Sequence, residues 1–361
     1  MEPAAAATAV ARARDDMALE LPGPFVSFLR SFDGADLFHE AIVLGGVTAA
    51  AFRRLVDMNP RPRLPPLLPT DGAVFAEVVG GDRYAFAAGG RIVRLRGGSD
   101  ERWAAGADFS RWLDGLIAHE RVLYGPDGEF SPDAFDPDGT EVAPLVALRQ
   151  AERALRACDD SAEWHHERGV ALRRLGRLPD AKEAFARAAE LDPGNPWPRF
   201  DGGRVALDLG PGAAREAGAL FEAAACLDRG DAAARLWIWA ARAAVLAADP
   251  EQLERTRREA LACEPALAEQ LRRAREAARE TGDADEIAEA EALVDALESP
   301  PARGRFRLAV IAPGDEAPVP APALRGAAEA AAARRTPPPV PPRPARATPR
   351  RSAAPRAGRK R

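Results

Sequence analysis

Two glycines, Gly169 and Gly176, return 34 residues later as Gly203 and Gly210. Behind each pair a second set recurs: Ala181, Phe185 and Ala188 reappear as Ala217, Phe221 and Ala224, each 36 residues on. The i, i+4, i+7 spacing of that set places it on one face of a helix. A glycine on a preceding helix lets two helices approach, and an aromatic residue fills the space between successive pairs. The two added residues between Gly210 and Ala217 fall most simply at Pro211-Gly212, in the turn between helices. A period of this length predicts stacked helical hairpins. One hairpin cannot bury its own faces, so a stack of roughly three is needed for stability.

The rest of the chain narrows the remaining choices. At 361 residues there is room for about two to three domains, and 47% apolar residues suffice for their cores. Net charge is informative only by position. Residues 299–361 hold 14 Arg or Lys against three acids, a balance of +11, which leaves 36 basic and 52 acidic side chains, or −16, on the other 298 residues. An acidic body argues against a folded nucleic-acid-binding domain, while a basic tail leaves room for an anionic partner. The start carries Glu2 and a weak alanine run without a basic region, unlike a secretory signal. The longest apolar stretches, 41–52 and 236–248, are shorter than the ~20 residues a membrane helix needs, and the second carries Arg242. Three scattered cysteines, Cys158, Cys226 and Cys263, fit neither a disulfide framework nor a zinc site. A reduced, cytoplasmic protein is expected.

Ahead of the repeat, the hydrophobic period alternates. Phe25, Phe28, Leu29 and Phe32 have helical spacing, and Asp33-Gly34 ends that helix with turn chemistry. Residues 41–44 form a short apolar run closed by Gly45-Gly46, after which Thr48 is placed to cap a helix reaching Leu55. Proline crowds residues 58–69, which predicts a loop. Three strand-like runs follow at 73–79, 83–87 and 91–96, separated by glycine pairs that read as hairpin turns. In the last run, Val93 and Leu95 alternate with Arg94 and Arg96, predicting one buried and one wet face. Asp108 then caps a helix carrying Phe109, Trp112, Leu113, Leu116 and Ile117. This order describes a small α+β domain, a sheet covered by helices, over 14–124.

The marks Leu21-Pro22 before Phe25, Phe28-Leu29, Asp33-Gly34, Gly81-Asp82-x-Tyr84 and Phe109-x-x-Trp112-Leu113 resemble, in order and spacing, those of the SUKH superfamily. That family includes the yeast cell-wall-synthesis regulator domain and bacterial toxin-immunity proteins. This chain has Asp33-Gly34-Ala35 where the family usually has Asn-Gly-Gly. The resemblance implies a protein-binding module without catalysis, masking a partner, a toxin among the candidates, by surface complementarity.

Residues 125–141 are acidic and turn-rich and read as a solvated linker; Asp136-x-Asp138-Gly139 lacks the other ligands of a calcium loop. From 142 to 297 an all-α region is expected, opening with a connecting helix over 142–157. Within it, residues 162–195 span 34 positions and resemble a tetratricopeptide repeat, with Gly169, Gly176, Ala181, Phe185, Ala188 and Pro193 at the expected places. Arg168 stands where an aliphatic residue is usual. A third unit opens at Trp237, and a last polar hairpin, 266–280 and 284–297, turns at Gly282 and caps the stack. Residues 298–361 form a Pro/Ala/Arg-rich tail expected to be disordered. Within it, 305–311 (RFRLAVI) alternates like a strand able to dock on a sheet edge.

Catalytic chemistry finds no support in these residues. His165 and His166 are adjacent on a helix and point about 100° apart, so they cannot share a metal. His39 and His119 are single residues expected at exposed helix or strand-edge positions. There is no HExxH, no phosphate-binding GxxxxGK[ST] and no G-x-S-x-G. No cofactor and no metal are expected. Binding faces remain. By resemblance, the first helices of a tetratricopeptide stack line its concave side, which implies Glu163, His166, Arg173 and Arg174 from one unit with Phe200, Arg204 and Asp208 from the next. Such a face suits an extended peptide, its arginines pairing with carboxylates; an ordinary solvated face is the competing reading. In the tail, Arg350, Arg351, Arg359, Lys360 and Arg361 are candidate anion contacts, for nucleic acid or for the acidic body. No aromatic residues interleave with them to stack on bases. The expectation is a non-enzymatic adaptor that binds an unknown protein. The alternative is a scaffold that recruits a client through the repeat and an anionic partner through the tail.

Overall fold

A computed structural model describes residues 7–17, 21–38, 40–48, 51, 53–59, 72–99, 101–137, 139–228 and 232–298. His39, the docking candidate 305–311 and all five tail cations (Arg350, Arg351, Arg359, Lys360, Arg361) lie outside them.

The amino-terminal part is an antiparallel sheet with helices packed on it. Helices α1 (Ala7–Met17) and α2 (Gly23–Ser31) precede strands β1 (Ala35–Leu37) and β2 (Ile42–Leu44), the one-turn helix α3 (Leu55–Met58), and strands β3 (Ala73–Val78), β4 (Arg83–Phe86), β5 (Ile92–Leu95) and β6 (Arg102–Gly106). The six strands pair in sequence order, each antiparallel to the next. Helix α4 (Phe109–Glu120) closes the unit, its first turn capped by the Asp108 carboxylate, which accepts from the N–H groups of Ser110 and Arg111. An aromatic core follows from the spacing of the sequence: Phe25 and Phe109 meet with ring centroids 4.9 Å apart, Phe75 and Phe86 at 4.2 Å, Phe75 and Trp112 at 5.1 Å.

Three local expectations need correction. Thr48 caps no helix reaching Leu55. Its hydroxyl and N–H, with the Val47 N–H, donate to the buried Asp33 carboxylate, and the next described helix begins at Leu55. Strands β1 and β6 and helix α1 are additions, all short or alanine-rich, with little period to reveal them. And β5 has no wet side at Arg94. That residue, paired in register with Tyr84, is 8% exposed because a helix of the repeat covers it.

Residues 125–137 and 139–141 lie in two turns closed by the bridges Tyr124–Phe130 and Phe135–Val142, with Ala134 buried. The Asp136 carboxylate accepts from the N–H groups of Thr140 and Glu141, an ordinary turn contact. Helix α5 (Pro144–Ala157) packs between α4 and the first hairpin, α6 (Ala162–Arg174) with α7 (Leu178–Leu191). The second hairpin is α8 (Trp197–Asp208) with α9 (Ala214–Leu227), the third α10 (Ala233–Leu246) with α11 (Pro250–Cys263). The last is α12 (Leu267–Thr281) with α13 (Ala284–Glu298), joined through Gly282 at φ 74°.

The recurring glycines have a direct steric reason. A Cβ at Gly169 would lie 2.7 Å from the Phe185 ring, and one at Gly203 would lie 2.7 Å from the Phe221 ring. In both hairpins the fully buried phenylalanine of the second helix presses on bare backbone of the first. We therefore expect Gly203→Val to destabilise the chain by about 1–3 kcal/mol through overpacking. A urea midpoint unchanged from wild type would contradict this.

Candidate functional site

The first helices of the first two repeat hairpins, α6 and α8, carry the residues the sequence places on the inner face. The structure divides them into two groups.

The first group belongs to the joint between sheet and repeat. Glu163, in the first turn of α6, is 4% exposed and pairs with Arg94 of β5, while the Tyr84 hydroxyl donates to it at 3.2 Å. Arg94 also donates to Asp82, from Nε at 3.0 Å and from Nη2 at 2.8 Å, and its Nη1 lies 3.8 Å from Glu167. Burial pushes the Asp82 carboxyl up, but Arg94 and the Gly97 N–H outweigh it and hold the carboxyl below its ordinary value. His166 meets Trp103 of β6 in a tilted ring contact with centroids 4.4 Å apart and hydrogen-bonds the buried Asp201 of α8 at 2.7 Å. Trp164 enters the core of the sheet unit, where a Cβ on Gly115 of α4 would collide with its ring. At the far edge of β6, the Ala104 N–H donates to Asp192 and Asn195 donates to the Arg102 carbonyl, so the repeat's own turn caps that edge. Arg174 turns to Glu141 at 2.8 Å and to the Val142 carbonyl, holding the segment before α5. Glu163 and His166, expected on an open groove, are thus structural groups of the joint, and Arg174 is taken up by the segment before α5. Pairing with strands about 70 residues upstream leaves no local trace in sequence.

The second group makes its contacts within the repeat. Arg173 pairs with Asp208 at 2.6 Å. Arg204 lies over the rings of Phe200 and Trp239, at 5.9 and 5.3 Å, and reaches Glu289 of α13 at 3.3 Å. Arg242 of α10 also lies over the Trp239 ring, 4.8 Å from its centroid. Burial first, then the charge of Arg173, lowers the Arg204 pKa; burial also lowers that of Arg242, with Arg204 adding repulsion against the pull of Glu289. Among the described residues, Arg173 Nη1 and Arg204 Nε are buried without a hydrogen-bond partner, and Arg242 has no ion pair. Three guanidiniums from three successive first helices thus gather beside two aromatic rings, of which Trp239 is buried. Sequence reasoning omitted Arg242, Trp239 and Glu289. The first was within reach, since Arg242 follows the buried Ala241 as Arg204 follows Gly203.

His119 also needs correction: it is 3% exposed, set between Glu120 at 2.9 Å and Glu167 at 3.0 Å, because α5 and α6 cover the face of α4 that sequence leaves open. Cys158 is buried as well, and burial with the Asp160 carboxylate pushes its thiol up, away from the reactive thiolate. Among the described residues no group of three or more His, Cys, Asp or Glu side chains is arranged to hold a metal, and no helix is long and apolar enough to cross a membrane.

The tetratricopeptide repeat family matches residues 162–195. Solved structures similar to the chain include a fragment of MamA, from position 41 to its end, from Desulfovibrio magneticus RS-1, 23% identical, covering 43% of this chain and 85% of that one at a TM-score of 0.30. A MamA RS-1 double mutant is 22% identical over 43% of this chain and 85% of that one, at 0.31. Another MamA crystal structure is 14% identical over 42% of this chain and 88% of that one, at 0.32. Likeness at this level defines no shared architecture. No curated protein matches the sequence. What is established is a helical-repeat protein with a tetratricopeptide unit behind an antiparallel sheet.

The His119 environment has a measurable consequence. Burial alone would lower its pKa, but hydrogen bonds to Glu120 and Glu167 outweigh it and raise the value from 6.5 to about 9. Gln150 and Arg94 are the other polar groups nearby. Between those two values the native chain keeps a proton that the unfolded chain releases. The stabilisation is therefore complete below about 6.5 and is lost as pH rises through about 9. Urea midpoints should fall across that window in wild type and fall less in His119→Gln; equal slopes would sink the assignment.

Proposed function

We propose that this chain is a non-enzymatic protein-interaction protein, a SUKH-like immunity or regulatory adaptor whose repeat binds an acidic peptide segment of its partner. The observation that carries the reading is the row Arg173, Arg204 and Arg242 on three first helices, with Phe200 and Trp239 between the cations. A row of cations matches carboxylates spaced along one chain, and the aromatic surface takes an apolar side chain between them. Of the seven residues assigned to this face from sequence, Arg173, Phe200, Arg204 and Asp208 stay in the proposed site. The SUKH-like sheet domain binds by occlusion, and a toxin is the partner class that the resemblance favours. The domain limits proposed with it are 14–124 for the sheet and 142–297 for the repeat.

Acidic peptides bearing leucine or phenylalanine should bind the full chain, at least tenfold more weakly after Arg204→Glu and Arg242→Glu together, with affinity falling as salt rises. Peptide affinity unaffected by the double substitution would remove the repeat from the binding site.

A second reading is favoured by one sequence observation, the +11 balance of residues 299–361. As a scaffold, the chain would contact nucleic acid or another anionic partner through Arg350, Arg351, Arg359, Lys360 and Arg361. Retention on DNA should then disappear when residues 325–361 are deleted; retention that survives places any such contact elsewhere.

A further inference from the structure

The arginine row already has an occupant, the last helix among the described residues. In a regular stack the first helix of each new hairpin lies beside the first helix of the one before. Here α13, the second helix of its hairpin, packs along α10. Val294 and Ala296 of α13 share a core with Ile238, Ala241 and Ala244 of α10. Leu293 reaches further, into the cluster containing Trp239, Phe200 and Phe221, and Glu289 extends across to Arg204 on α8. Helix α13 carries Asp285, Glu286, Glu289, Glu291, Asp295 and Glu298, and no basic residue. In charge, in its leucine and in where it lies, it is an acidic segment seated on the basic face.

The seat is incomplete in two respects. Glu289 is the single α13 carboxylate paired with the row among the described residues, and Arg242 has no ion pair. The attachment is also slight: α12 buries only Leu267, Leu271 and Ala278, and α13 only Val294 and Ala296. The hairpin hangs from α11 by a short turn at Glu264-Pro265-Ala266. Its polar links to the rest of the repeat include the Arg204–Glu289 pair and the buried bond from Arg257 to the Ala296 carbonyl, whereas Arg272–Glu298 and Arg279–Glu291 join α12 to α13 within the hairpin. Segments with few buried contacts are the ones that open first.

We propose that α13 is an internal acidic ligand of the α8–α10 face, and that the α12–α13 hairpin must swing away before an acidic, leucine-bearing helix of a partner can take its place. The proposal rests on the peptide-binding reading for the identity of the incoming segment, while the occupancy of the face by α13 is independent of it. Affinity of the closed chain for the partner is reduced by the fraction of time that the face is free.

The test uses the full chain as wild type and as an opened form, Glu289→Arg with Leu293→Glu. Two fluorescein-labelled probes are titrated into each: a peptide with the sequence of residues 283–298, and an acidic leucine-bearing helical peptide of unrelated sequence. Both should bind the opened form at least tenfold more tightly than wild type, and adding Arg204→Glu should abolish that gain. If the unrelated peptide binds both forms equally, the internal ligand is refuted while the peptide-binding reading stands. If only the 283–298 peptide binds the opened form, the internal ligand stands and the peptide-binding reading falls. If neither probe binds a folded opened form, the internal ligand is refuted. Hydrogen exchange on the wild-type chain decides the matter should the opened form fail to fold. Amides of α12 and α13 should exchange together at least tenfold faster than those of α8 and α10, and equal protection would overturn the proposal.

Discussion

The buried ion pair between Arg94 and Glu163 sets the geometry of the whole chain. It joins the fifth strand of the sheet to the first turn of the repeat, across 69 residues of sequence, inside a site closed to water. Removing two charges from water costs several kcal/mol per ion, and attraction offsets that cost only when the remaining donors and acceptors are satisfied. Here they are. Asp82 takes two more bonds from Arg94, the Tyr84 hydroxyl donates to Glu163, and the Gly97 N–H donates to Asp82. Such a cluster holds one relative placement of its elements, because any slip strands a charge. Trp164, one residue on, fixes the same placement by packing, with its ring against Gly115.

From that joint the availability of the inner face follows. Helix α6 turns its first two turns into the sheet, so Glu163 and His166 are spent on architecture, and Arg173 in its last turn pairs within the repeat, with Asp208. The cations that remain are crowded: burial and then the charge of Arg173 depress Arg204, and burial depresses Arg242, with Arg204 adding to it against the pull of Glu289. Like charges held together at partly buried positions favour a carboxylate beside them. Asp208 and Glu289 supply two, one from the repeat and one from the helix that closes the stack. The sheet packs against α6 at one end of the repeat, and α13 lies along α10 at the other.

Much of this architecture is legible in the sequence where a physical period repeats. The Gly169/Phe185 and Gly203/Phe221 pairs mark two hairpins because the ring needs the missing side chain, and that demand recurs at a fixed interval. The meander at 73–95 is legible because glycine pairs punctuate β-branched and aromatic runs, and α4 because Asp108 caps it. Strand β6 and helix α1 escape because alanine has no face to show. The assignment of Arg94 to solvent, and of His119 to an exposed position, fails for a shared reason: alternation and helical period describe one element, whereas both residues are covered by α6, which arrives from elsewhere in the chain.

The sequence by itself determined the two kinds of structure, their order along the chain, and the helix-on-helix contact inside each hairpin, since those depend on spacings of a few residues that local sterics enforce. Only the tertiary structure decided which polar residues of the inner face are consumed and which are offered. Arg94 and Glu163 find each other because two folded surfaces meet, Arg242 joins Arg204 because α10 stacks beside α8, and Glu289 lies over both because α13 turns back onto α10. Charge alone cannot distinguish these fates; an arginine in a buried pair and one over a tryptophan read alike until the neighbouring elements are in place.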